Sequence, residues 1–218
     1  MVEQSGTALL LEQICNHHED KIMPLGAFKA ALMGTAGVSA AGDVVLLSSQ
    51  TASGSASLDF TSGIDSTYGE YIFKFYNINP VSSSALTFQA NATDSSSYDE
   101  TMTTTKFETN HGEDDSTGEL AYVAGGDQAQ GTAFQSLSQS IGTGGDQSGA
   151  GELHLFNPAS TTYVKHFYSE MQIHYGDVGN ASCTYIGGYI NTTTAIDDIK
   201  FQMSTGDFDG TIKMWGVK

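Results

Sequence analysis

Glu70-Tyr-Ile-Phe-Lys-Phe-Tyr-Asn-Ile78 sets the architecture of this chain. Tyr71, Phe73 and Phe75 point one way while Ile72, Lys74 and Tyr76 point the other, a period of two that belongs to an extended strand. Aromatic and β-branched residues fill the stretch, as they do on a pleated, packed surface. The same alternation recurs on either side of it. Upstream, Val44-Val45-Leu46-Leu47 is a short apolar run and Leu58/Phe60 alternate. Downstream, Leu86/Phe88 alternate with Thr87/Gln89, Met102–Thr109 is threonine-rich, and Leu120–Ala124 is a further run. Leu153/Leu155 alternate with His154/Phe156, and Val164/His166/Tyr168 with Tyr163/Lys165/Phe167. Ile199/Phe201/Met203 and Ile212/Met214 close the chain. About ten short strands, parted by clusters of Gly, Ser, Asp and Asn, predict an all-β fold: an antiparallel β-sandwich of jelly-roll type over residues 43–218.

The stretches Asp94–Asp99, Gly112–Gly118, Gly125–Gly131 and Gly142–Gly151 are polar and glycine-rich, and read as surface loops. Residues 1–42 are expected to form a separate arm with a short helix. Ser5 can cap it, and Leu10/Ile14 and Leu11/Cys15 give the i, i+4 spacing of one apolar face. Pro24 breaks the pattern at Met23, and an apolar stretch Leu25–Met33 dissolves into the small residues Gly34–Gly42. No internal repeat of 20–50 residues is evident, which argues against a propeller or solenoid.

The 218 residues suffice for a core that buries roughly 70% of the unfolded surface, so no metal or disulfide is needed to fold. Charged residues make up only 15%, and the net charge is −17. All eight basic residues are lysines. A nucleic-acid partner is therefore not expected, for want of a basic face and of arginine. Attraction to an anionic membrane fails for the same reason, and Ala8–Leu11 is too short for a membrane span or a signal-peptide core. Cys15 and Cys183 lie far apart, without metal-ligand spacing, and read as two free thiols.

No constellation of catalytic residues stands out. Gly37-Val-Ser-Ala-Ala41 falls short of a nucleophile elbow around Ser39. The 25 acidic residues would supply a glycosidase-like carboxylate pair by chance, and a small glycan hydrolase would depend on one acidic loop residue such as Asp99 or Asp209. Gly144-Gly145-Asp146 lacks the lysine and helix of a phosphate loop and reads as a turn. Cys15, His17 and His18 make a poor chelate, because adjacent helical side chains diverge. His154, His166 and His174 read as structural histidines unless the strands bring them together. Asp94–Glu100 and Asp207-Phe-Asp-Gly210 offer oxygens of the kind calcium takes, but neither has the helix–loop–helix spacing. The sequons at Asn91, Asn180 and Asn191 read as coincidence. The expectation is a non-enzyme, with no catalytic, cofactor-binding or metal-ligating residue assigned.

The chain holds 10 Tyr, 11 Phe and the single Trp215. Rings alternating along strands are expected in the core. The opposite faces, such as Ile72/Tyr76 and Tyr163/Phe167, are also apolar, which predicts that both faces of several strands are covered and that the protein is a homo-oligomer.

Several segments carry a resemblance. They are Phe60-Thr-Ser-Gly-Ile-Asp-Ser-Thr-Tyr68 running into Glu70–Ile78, Asp127–Phe134, Phe156–Phe167, Gly188–Ile196, and the closing Met203-Ser-Thr-Gly-Asp-Phe-Asp-Gly-Thr-Ile-Lys-Met-Trp-Gly-Val217. Over residues 44–218 the chain resembles virion structural proteins of marine tailed phages, cyanophage-like, with a C-terminal β-sandwich. The start Met23-Pro-Leu-Gly-Ala-Phe28 also resembles their N-terminus. The resemblance implies a location on the virion exterior, after synthesis in the host cytoplasm. It implies a tail-fibre or adhesin that meets a host-surface glycan, or alternatively a capsid decoration protein. A trimer is expected, attached to other virion proteins through the 1–42 arm. A free carbohydrate-binding module is the reading from a different class.

Overall fold

Tyr71, Phe73 and Phe75 share one fully buried face of a strand, and Ile72, Lys74 and Tyr76 share the other. That strand belongs to a computed structural model that describes residues 43–176 and 179–218. The helix expected within residues 1–22 lies outside them, as do Cys15, His17, His18 and Ser39.

Residues 43–218 form one compact unit. The strands are β1 (Val44–Ser55), β2 (Ser57–Phe60), β3 (Glu70–Pro80), β4 (Leu86–Ala92), β5 (Met102–Gly112), β6 (Gly118–Tyr122) and β7 (Ala129–Gly131). They continue with β8 (Gln135–Ser136), β9 (Gly149–Phe156), β10 (Lys165–Tyr175), β11 (Asn180–Ile190), β12 (Ile196–Met203) and β13 (Phe208–Val217). Among the described residues the fold is all-β, and every strand pair is antiparallel. A nine-stranded sheet runs β1-β13-β3-β9-β10-β11-β5-β6, with β7 beside β5. A four-stranded sheet runs β2-β12-β4-β8.

The two sheets share their aromatic rings. Phe201 of β12 lies 5.2 Å from both Phe73 and Phe75 of β3, 6.0 Å from Phe60 and 6.4 Å from Phe88. Phe88 of β4 meets Phe167 of β10 edge-on at 4.9 Å. Such tilted contacts add to the area that the rings remove from water. Leu153, Leu155, Ile212 and Met214 extend the same core.

Three departures from the sequence pattern have physical causes. The first is β11, which carries no alternating apolar run because its inward positions include Ser182 and Thr184; it nonetheless lies between β10 and β5. Second, Gly149–Gly151 opens β9 instead of ending a loop. A Cβ at Gly151 would sit 2.2 Å from the Glu170 carbonyl, so glycine is what permits the close approach of β10. Third, Tyr163 precedes β10 and stands in solvent, so it does not share the buried face of Phe167.

Candidate functional site

The face of the nine-stranded sheet turned away from the ring core is rich in side chains that a solvated sheet does not need. Register aligns Leu46, Trp215, Ile72, His154 and Tyr168 in one row across five strands. The next row reads Lys213, Lys74, Glu152, Glu170, Tyr185, Phe107 and Tyr122. Phe107 stacks on Tyr185 at 4.9 Å, and His154 stacks on Tyr168 at 4.4 Å.

His154 is clamped. Its Nδ1 lies 2.5 Å from Glu70 Oε1 and its Nε2 lies 3.0 Å from Glu152 Oε1. The His154 bond, with Lys74 behind it at 3.2 Å, holds the Glu152 carboxyl below its ordinary range. Burial, and then the charges of Glu70, Glu152 and Glu170, push the Tyr168 hydroxyl up. With both ring nitrogens engaged, His154 has none to offer a substrate proton; its place is to fix the rings around it. Below it, Ala150 and Gly151 leave a shallow trough of about 410 Å³ flanked by Lys74, Tyr76, Glu170 and Gln172.

At one end of this face a groove of about 860 Å³ opens among Tyr68, Phe156, Asn157, Ser160, Tyr163 and His166. Phe156 joins it to the row above, 5.9 Å from Tyr168. Local bonds shape its loop. Asn157 takes a left-handed φ of 45° and donates its N–H to the Gly69 carbonyl at 2.8 Å. Ser160 Oγ accepts the backbone N–H groups of Thr162 and Tyr163. Beneath Tyr163 the buried Lys165 ammonium donates to the carbonyls of Tyr163 (3.1 Å) and Thr192 (3.0 Å). Burial pulls Lys165 below its ordinary range, and the Glu100 charge opposes that. Tyr163 itself is 73% exposed, a ring held out from a pinned backbone. No acidic side chain and no lysine lines this groove, in a chain with 25 acidic residues.

The three strand histidines do not converge. His166 and His174 sit eight residues apart on β10, roughly 27 Å along a strand. His154 is held by its carboxylates, and His174 Nδ1 lies 3.1 Å from the Gly176 carbonyl. Among the described residues no three His, Cys, Asp or Glu side chains gather as a metal site. Gly144–Asp146 is a turn closed by Gln147, whose Oε1 accepts the Gly144 N–H at 2.9 Å. Asp209 Oδ1 accepts the Gly54 N–H, and Asp99 is exposed in the β4–β5 loop. Asn91 is buried in β4 with its amide engaged, which closes that sequon in the folded chain. The groove was not foreseen from the sequence: its lining comes from three segments far apart in the chain, around Tyr68, Phe156–His166 and Thr193, and Tyr163 was expected on a covered strand face. Comparison with family models, with curated proteins and with solved structures gave no match.

Proposed function

We propose that this chain is a non-catalytic structural protein of a phage virion, a tail-fibre or adhesin-type component whose jelly-roll-like sandwich binds a host-surface glycan. The observation that carries the reading is the groove at Tyr68, Phe156 and Tyr163. Rings offer flat apolar faces to the C–H faces of a sugar, while Asn157, Ser160 and Thr162 offer bonds to its hydroxyls. A lining without charge suits a neutral sugar. Tyr163→Ala is expected to weaken binding of the full-length protein to host cells by about tenfold or more. Its exposed position keeps stability within about 0.5 kcal/mol of wild type. Unchanged cell binding by this variant would remove the groove as the receptor site.

The outward face of the large sheet supports the expectation of self-association. Leu120 is 71% and Tyr122 66% exposed, next to Phe107. The charged groups in its central rows are Glu70, Glu152 and Glu170 against Lys74 and Lys213, a net −1 in a chain of −17. Copies of so acidic a protein can meet only where repulsion is locally small. Eight strands about 4.8 Å apart and four outward rows span on the order of 700 Å². Each partner of a stable complex gives about 800 Å². The pair Leu120→Ser/Tyr122→Ser is expected to convert a trimer to monomer by light scattering; an unchanged mass would place the interface elsewhere. A capsid decoration protein would use such a face equally well, and hundreds of copies per particle would favour that role over an adhesin.

A further inference from the structure

β12 and β4 fall out of step at one point. Ile196 pairs with Ala92 and Asp198 with Asn91, which leaves Asp197 as an extra residue. Ile196 and Ile199 are buried in the core, whereas Asp197 and Asp198 are both only half-buried. The bulge thus turns two consecutive carboxylates away from the core, opposite a single partner residue.

That partner is Asn91, only 4% exposed. Its Nδ2 donates to Asp198 Oδ2 and to the Ser95 carbonyl, each at 3.2 Å, so the amide lies against Asp198 at the bulge. Its Oδ1 has no partner, and neither has the buried Oδ1 of Asp197. Buried oxygens of this kind are rare without a water or an ion on them. The nearby ammonium of Lys200 is engaged elsewhere, 3.1 Å from Asp59 Oδ2 and 4.3 Å from the centre of the Tyr98 ring. Among the described residues, neither Asp197 nor Asp198 has an ion-pair partner.

We propose that this bulge is a calcium site, with Asp197 Oδ1 and Asn91 Oδ1 as direct ligands, Asp198 as the second carboxylate, and water completing the shell. All the available donors are oxygens, of mixed amide and carboxylate type, which suits calcium's flexible shell of six to eight ligands better than magnesium's strict octahedron. Zinc would want nitrogen or sulfur, and none is present. With only two carboxylates the affinity belongs to the weak class, on the order of 10⁻⁴–10⁻³ M.

The test uses the full chain, stripped with a chelator and titrated with calcium chloride at constant ionic strength. Calorimetry is expected to show one site in that affinity range, and the melting temperature is expected to rise with calcium. Asp197→Asn keeps the shape, removes one charge, and is expected to weaken the site at least tenfold; Asp198→Asn serves if that variant does not fold. The absence of both binding heat and a melting shift up to about 10 mM calcium would overturn the proposal, leaving ordered water in the bulge. Equal binding by wild type and both variants would overturn it too, by placing the ion elsewhere.

Discussion

Phe201→Ala is expected to cost the domain about 3–5 kcal/mol, at the top of the range for a single core truncation. The ring is fully buried and stands within 6.4 Å of four others, Phe60, Phe73, Phe75 and Phe88, drawn from both sheets. Two of those neighbours lie on β3 in the large sheet, one on β2 and one on β4. The cavity left by alanine could close only if the sheets approached, and the ladder bonds of β12 to both β2 and β4 oppose that. Domains of this kind are stable by roughly 5–15 kcal/mol, so the variant should fold yet unfold at far lower urea. The measurement is the urea midpoint at unchanged slope, with Val81→Ala on the exposed β3–β4 loop as a control expected within about 0.5 kcal/mol. A loss under about 1 kcal/mol for Phe201→Ala would mean that the two sheets do not depend on one ring core.

The strands legible in the sequence are those whose inward positions are apolar. Glu70–Ile78, Leu153–Phe156 and Ile199–Met203 announce themselves because one face meets the ring core. β11 does not, although it pairs along its whole length on both sides. Its inward Ser182 and Thr184 lie opposite Asn110 and Glu108 of β5, so the core is polar at that end of the sheet, and hydrophobic periodicity carries no signal there. Partition into two sheets was equally hidden, since β12 and β13 are neighbours in sequence but enter different sheets. The cation candidates show the same limit. Acidic loops at Asp94–Glu100 and Asp207–Gly210 drew attention by composition. The bulge candidate at Asp197 and Asn91 instead depends on a one-residue slip in register, which is invisible in the sequence.

Charge is distributed unevenly in this molecule. The ring-lined groove excludes it, the outward sheet face nearly balances it, and the β12 bulge concentrates it without a counterion among the described residues. For a chain of −17, each of these is a departure from a uniformly acidic surface. Solvated acidic loops keep the remainder of the surface repulsive, which favours association only where the face is near neutral.

Lys106→Met is expected to cost about 3–5 kcal/mol, although it removes only one charge from an acidic protein that has few lysines. Lys106 and Glu108 lie two residues apart on β5 and therefore both point inward. Lys106 Nζ stands 2.7 Å from Glu108 Oε1, with both side chains under 10% exposed. Gln139 Nε2 donates to the other Glu108 oxygen, and the backbone of Gly126 lies against the lysine stem, where a Cβ would come within 2.5 Å of it. Water cannot easily replace the lost ammonium in so closed a place, so Glu108 would be left as a buried charge. Glu108→Gln should be similarly costly, by stranding Lys106. The double variant Lys106→Met/Glu108→Gln holds no buried charge and keeps an oxygen for Gln139, so it is expected to recover at least half of either loss. Lys74→Met supplies the contrast: that pair with Glu152 is about 40% exposed, and its loss is expected to cost no more than about 1 kcal/mol. Urea unfolding of these variants forms a double-mutant cycle. Additive losses would mean that solvent reaches both groups separately. Recovery in the double variant would mean that the polar end of the core is held by pairing and not by charge as such, which is also why β5 and β11 can lie side by side there with so few apolar residues facing in.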